Sequence, residues 1–156
     1  FGAENRMHFD HKETNIRVGG GLDDVWLNKN TSKIHVVDYK STSQKKDNGP
    51  ITLDDKWKGA YKRQMDLYVW VMQKKGFSVD EIGFFLYCDG NRFTKKKFLN
   101  NQNAMMEFKI TLIEYRTNLS WIEETLNNIH KCLRLHKRPK HSENCEYGIF
   151  ITNSNK

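Results

Sequence analysis

The order of elements in this chain predicts an α+β fold, with helices packed on a mixed β-sheet. Three observations lead there. Apolar and polar residues alternate around two turns in the first 40 residues. A helical stripe follows over residues 56–75, and a second run of strands and helix closes the chain. Strands, helix, strands, helix in that order fit one layered domain, 1–156, with helices laid on a sheet.

Taken in order, residues 6–9 and 15–19 are expected as short strands around the turn Asp10-His11-Lys12-Glu13. Residues 22–28 and 33–40 are rich in Leu, Val, Ile, Trp and Tyr. Asn28-Lys29-Asn30-Thr31-Ser32 between them is turn chemistry, so the pair predicts a β-hairpin. Residues 41–53 form a polar loop. Asp54 or Asp55 is placed to cap a helix over 56–75, and Gly76 to end it. Residues 81–88 are expected as a buried strand, Asp89-Gly90-Asn91 as a turn and 105–113 as another strand. A helix over 119–136 turns Leu119, Ile122, Leu126, Ile129 and Leu133 inward. The tail, 137–156, is polar with few anchors. No internal repeat is visible.

Composition narrows the function classes. The formal net charge is +7 and the pI near 9.3, which favours a polyanionic partner. No run of 18 apolar residues is present, so no membrane-spanning helix is expected, and no secretory leader is visible. Three widely spaced cysteines argue against a disulfide scaffold and for a reducing, cytoplasmic setting.

The hairpin carries the chemistry. With the turn centred between Asn30 and Thr31, Asp23 falls directly opposite Asp38. Asp38 and Lys40 share a face with Ile34 and Val36, because side chains alternate along a strand. Two facing carboxylates, with Cβ atoms about 5 Å apart, destabilise a bare sheet. A divalent cation such as Mg²⁺ removes that conflict, and needs only one or two carboxylates plus substrate phosphate. Lys40 then stands one step beyond the metal and opposite Gly21, whose missing side chain leaves room for a phosphate. An acid pair, a metal and a fixed cation are the parts for phosphodiester hydrolysis.

On the following helix Trp57, Tyr61, Gln64, Tyr68 and Val71 fall on one stripe. A Gln inside an aromatic stripe must satisfy its amide if it is buried. Lys58, Lys62 and Arg63 lie on the same segment and can neutralise phosphates, while Trp57 and Tyr61 can stack on unpaired bases. Further basic clusters are Lys45-Lys46, Lys95-Lys96-Lys97 and residues 131–141.

Gly20-x-Leu22-Asp23, then Val37-Asp38-Tyr39-Lys40, then Gln64-x-x-x-Tyr68 resembles the core of the PD-(D/E)xK nuclease superfamily. More narrowly it is similar to the RecB-like branch, which includes CRISPR-associated RecB-like exonucleases. The resemblance is strongest over residues 20–70. It implies a restriction-endonuclease-like α+β fold in which a mixed sheet carries the catalytic hairpin. It implies that Asp23 and Asp38 bind Mg²⁺ or Mn²⁺, that Lys40 positions or activates the attacking water, and that Gln64 and Tyr68 support the site and the DNA end. The expected activity is metal-dependent hydrolysis of DNA, in repair, recombination or defence. The family's usual helix before the hairpin, bearing a further acid or His, is expected to be either absent or part of a segment not present here, such as one in a larger protein or complex; Glu4 and His8 are poor substitutes by spacing.

Many RecB-like relatives also end in cysteines that hold an iron–sulfur centre. In this chain Cys145-Glu146-Tyr147-Gly148 has Gly148 at the second cysteine position, Cys88 lies in a strand and Cys132 in a helix. Four thiolates are the usual need, so a cluster is not expected; Cys132 and Cys145 with His136 or His141 offer at most a zinc site. His8, His11, His35 and His130 are expected as surface or packing residues. Two other classes fit parts of the pattern: a non-catalytic nucleic-acid-binding module on the same fold, and a carboxylate-pair glycoside hydrolase. Lys40, the basic charge and the Gln-x-x-x-Tyr helix weigh against the last.

Overall fold

The computed structural model describes residues 6–44, 49–92 and 102–154. Strands β1 (Arg6–His11) and β2 (Ile16–Gly21) pair antiparallel as a ribbon of their own. The turn between them, residues 12–15, falls two residues later than expected. His11 still belongs to β1, and Asn15 takes the left-handed backbone (φ 56°) that Asn tolerates well.

Strands β3 (Asp24–Asn28) and β4 (Lys33–Thr42) form the expected hairpin. Its register starts at Asn28 opposite Lys33, which puts the centre between Asn30 and Thr31. The Asn28 side chain accepts the Asn30 and Thr31 amides and shapes the turn. Beyond β4 the chain crosses over through helix α1 (Gly59–Lys74) and returns as β5 (Ile82–Gly90), parallel to β4. β6 (Phe108–Arg116) adds antiparallel, giving a mixed sheet in the order β3-β4-β5-β6. Two short helices follow, α2 (Ile122–Leu133) and α3 (Glu146–Ser154).

Helix α1 sits on one face of this sheet. Met65, Val69 and Met72 pack on Val36, Phe85 and Tyr87, with Ile51, Leu53 and Val79 closing the rim. Its other buried side, Trp70 and Val71, meets Ile122 and Leu126 of α2 and the apolar side chains of the β1–β2 ribbon. The helix ends as its sequence requires: Gly76 has φ 89°, its amide bonds the Gln73 carbonyl, and the Phe77 amide reaches back to Met72.

Several expectations are corrected. Asp55 does begin the helical segment, as N-cap of a 3₁₀ turn over Lys56–Lys58, but without a side-chain capping bond; its carboxylate pairs with Lys58 instead. Asp89 and Gly90 belong to β5, and β6 starts three residues later than expected. In α2 the first half carries the apolar packing. Ile122 and Leu126 are buried, whereas Ile129 and Leu133 are exposed; farther along, the β1–β2 turn meets α2 through a polar contact, His130 Nδ1 to the Thr14 carbonyl at 2.7 Å. The tail has few anchors, as expected: α3 forms there, and within it Gly148 alone is buried. No helix among the described residues is long and apolar enough to cross a membrane. Lys45-Lys46 and Lys95-Lys96-Lys97 lie outside the described residues.

Candidate active site

The hairpin register carries Asp23 to Asp38, one step past the last ladder pair, Asp24 with Val37. Asp38 is 3% exposed and points to the α1 side with Val36 and Lys40. Asp23 is exposed, and its carboxylate accepts the Tyr39 amide at 2.8 Å. Its neighbour Asp24 faces the other way and is fully engaged, with Tyr39 Oη, Trp26 Nε1 and the Val25 amide all donating to it. The Tyr39 hydroxyl, first among these, holds the Asp24 carboxyl below the usual range. Asp23 and Asp24 are adjacent in sequence, yet only Asp23 faces the pair.

Burial pushes the Asp38 carboxyl above the usual aspartate range. Lys40 works against that shift and the nearby Asp23 carboxylate adds to it. Lys40 Nζ forms an ion pair with Asp38 Oδ2. The same ammonium donates to Gln64 Oε1 at 3.4 Å and sits over the Tyr61 ring, 4.6 Å from its centroid. Gln64 Nε2 donates to Tyr68 Oη at 2.9 Å. Asp38, Lys40, Gln64 and Tyr68 thus form one chain of contacts between β4 and α1.

The stripe read from the sequence is the rim of α1 rather than its core face. The core face is Met65, Val69 and Met72, and Gln64 and Tyr68 flank it half-buried, turned toward Lys40. Gly20 explains how Tyr68 gets there. A Cβ on Gly20 would fall 2.8 Å from the Tyr68 ring, so only glycine lets β2 pass so close. At Gly21 a Cβ would meet nothing within 4 Å. Gly21 does not stand opposite Lys40 in a ladder, however. β2 pairs with β1, where Gly21 meets Arg6, and the neighbour of Lys40 is Tyr87 on β5. The break at Leu22 and Asp23, which swings the ribbon off the main sheet, is the reason.

Lys58 is also corrected. It is 2% exposed, and its ammonium donates to the Thr52 carbonyl at 2.6 Å and pairs with Asp55 at 2.8 Å. A cation so committed is unavailable to phosphate; it anchors the entry to α1. Arg63 and Trp57 are exposed, and Tyr61 and Lys62 are half-buried.

Three features were not read from the sequence. Tyr87 points its buried hydroxyl at the same region, and burial foremost, with Tyr61 and Asp38 behind it, pushes its pKa up to about 12. Its place follows only from the β4–β5 register. A cleft of about 470 Å³ lined by Arg6, His8, Arg17 and Gly19–Gly21 opens beside the ribbon. Asp66 is buried one turn along α1 from Lys62, and its signal was a charge inside an otherwise apolar run, Met65 to Met72.

A family description matches residues 1–149 of the chain: the PD-(D/E)XK nuclease superfamily. The chain belongs to that superfamily. Its mixed sheet and flanking helices are the α+β fold expected of a restriction-endonuclease-like nuclease. No curated protein and no solved structure matches it.

PD-(D/E)XK nucleases use divalent metals, and the donor set at Asp38 fits one. Asp38 is buried, faces the Asp23 carboxylate and has the Lys40 ammonium as its ion-pair partner. Two carboxylates set against each other suit a divalent cation, which takes oxygen ligands and offsets their repulsion. No group of three His, Cys, Asp or Glu side chains gathers among the described residues, so the Asp23–Asp38 pair has no third ligand of these types. At the cysteines, Cys145 Sγ lies 3.5 Å from His141 Nδ1 and Cys132 is exposed. A Cβ at Gly148 would fall 2.6 Å from the His141 side chain.

Proposed function

We propose that this nuclease-superfamily chain hydrolyses phosphodiester bonds of DNA with Mg²⁺ or Mn²⁺ held by Asp23 and Asp38, as in the RecB-like branch. The observation that carries the reading is the buried Asp38 carboxylate facing Asp23, with the Lys40 ammonium against it and linked onward to Gln64. A fold tolerates two facing carboxylates where a bound cation offsets their repulsion. The metal, when bound, supplies Lewis-acid polarisation of the phosphate and a more acidic water.

The residues do the rest. Lys40 places a positive charge where the phosphate gains negative charge, and orients the attacking water. Gln64 fixes Lys40 through Oε1 and Tyr68 through Nε2. With its oxygen accepting from Gln64, the Tyr68 hydroxyl keeps its own proton to donate toward a phosphate oxygen. Gly21 leaves open space and lines a cleft with Arg6 and His8, where Arg6 supplies positive charge, Arg17 being paired with Asp10. Arg63 and Lys62 flank it from α1, and the +7 net charge favours a polyanion overall. A reducing, cytoplasmic setting and a role in DNA repair, recombination or defence fit this chemistry.

The test is cleavage of end-labelled DNA by purified protein with Mg²⁺ or Mn²⁺, against EDTA. Products that appear only with metal support the reading. Tight binding with no product under either metal replaces it with a non-catalytic nucleic-acid-binding module.

A further inference from the structure

Beyond Lys40 the site continues outward as a run of stacked cations and rings. Lys40 Nζ rests over Tyr61. Tyr61 meets Trp57 edge-on, with centroids 5.4 Å apart and planes at 81°. Under Trp57 lies Lys58 Nζ, 5.1 Å from the ring centroid and tied to Thr52 and Asp55. Trp57 itself is 60% exposed.

A lone surface Trp requires no explanation. This one is different because it is held. An ion-paired, buried ammonium supports the ring from one side and Tyr61 fixes its edge. Lys58, which the sequence offered as a phosphate contact, is spent on holding this ring. A pre-ordered ring loses little rotamer freedom when something lands on it. Whatever lands must present a flat π face and carry negative charge toward Lys40 and Arg63, which describes a nucleobase with its phosphate. In a duplex each internal base already has both faces covered, so only an unpaired or terminal base is free to stack.

We propose that Trp57 is the stacking platform for an unpaired base next to the phosphate bound at Asp38 and Lys40. The site accordingly selects single strands or frayed ends over intact duplex. The location of that phosphate rests on the nuclease reading above; the stacking does not require cleavage.

The experiment therefore separates the two. Binding is measured by fluorescence anisotropy of the full chain in EDTA. The probes are a labelled oligothymidine strand, the same strand with a single abasic site moved along it, and a blunt duplex. Trp57→Ala should weaken strand binding by about 10-fold, within the range for one stacked base, and leave duplex binding unchanged. Trp57→Phe should keep most of the affinity. An abasic site at one position should cost the wild type that same factor and cost Trp57→Ala nothing. The proposal is overturned by equal strand affinity in Trp57→Ala and wild type, by an equal loss on duplex, or by an unchanged abasic penalty. If wild type shows the Trp57-dependent binding but no metal-dependent cleavage, the nuclease reading fails and the platform stands. If it cleaves while Trp57→Ala binds normally, the reverse holds.

Discussion

Among the described residues two aspartates are buried, and they are buried differently. Asp66, on α1, is 2% exposed, yet each of its oxygens has a donor: the Asn118 amide at 3.0 Å and Trp121 Nε1 at 3.0 Å. No cation contacts it, and the Tyr115 hydroxyl, raised to about 12 mainly by burial and then by Asp66, lies alongside. Asp66 ties the segment between β6 and α2 to the helix. Asp38 is as deeply buried, but a second carboxylate faces it and its partner is the Lys40 ammonium rather than a pair of neutral N–H groups. Burial alone therefore does not identify a functional carboxylate. A buried charge held by neutral donors is architecture; one set against a second carboxylate and a lysine, among groups able to move protons and phosphates, is a candidate site.

The comparison breaks first on activity. Asp38→Asn and Lys40→Ala should each reduce metal-dependent DNA cleavage by roughly 10³-fold or more, because they remove metal binding or charge stabilisation of the transition state. Circular dichroism should show the fold retained in both. Cleavage by Lys40→Ala at the wild-type rate removes Lys40 from the mechanism.

Asp66→Ala should do the opposite. It leaves the Asn118 and Trp121 N–H groups without an acceptor, at a cost of about 3 kcal/mol. For a chain of this size that is a fall of roughly 6–12 °C in Tm. Specific activity per folded molecule, measured well below Tm, should stay near wild type. A site-like loss of activity without a loss of stability would erase the distinction between the two aspartates.

How much of that distinction was legible beforehand follows from its physics. The hairpin register was readable because turn residues and alternation are local, and it put Asp23 opposite Asp38. The helix and its C-terminal glycine were readable for the same reason. Gln64 and Tyr68 were found through the family pattern, and the stripe agreed. Nothing local revealed Tyr87, whose position depends on the parallel register of β4 and β5 across the α1 crossover. The burial of Lys58 was equally hidden, since a run of lysines looks solvated until the Thr52 carbonyl and Asp55 close on one of them. The departure of β2 from the main sheet, which moved Gly21 away from Lys40, depends on a two-residue break with no compositional mark.

A smaller effect tests the sign of Asp38's shift. Its folded pKa is raised, so the ionised form is disfavoured in the fold. Metal-free Asp38→Asn should then be more stable than wild type near neutral pH. The gap should close as pH falls through the raised value, where Asp38 takes up its proton. Metal reverses the ranking. Saturating Mg²⁺ or Mn²⁺ should raise the wild-type Tm, by an amount that corresponds to about 2.7 kcal/mol at a hundred times Kd, and leave Asp38→Asn unmoved. The metal-dependent rise should itself shrink on acidification, since a protonated carboxyl does not ligate. Equal Tm gains in both proteins would place the ion elsewhere.

The smallest expected effect is at Gln64, and it asks whether the candidate site is held in shape from α1. Gln64 touches no reacting group. It links Lys40 to Tyr68 by one long bond of 3.4 Å and one ordinary bond of 2.9 Å. Gln64→Ala should leave Lys40 with Asp38 and the Tyr61 ring as partners, still charged but free to swing. The predicted result is a cleavage rate about 10-fold lower, as misplacement of a catalytic group costs rate before it costs binding. DNA affinity in EDTA and Tm should stay close to wild type, because the residue is half-buried at the rim of α1 rather than in its core. Gln64→Glu sharpens the test. A carboxylate there keeps the acceptor for Lys40 but adds negative charge facing Asp38 and the phosphate. It should therefore cut less well than Gln64→Ala if the neutral amide matters. Rates equal to wild type in both variants would detach the helix motif from the site, leaving Asp23, Asp38 and Lys40 to act alone.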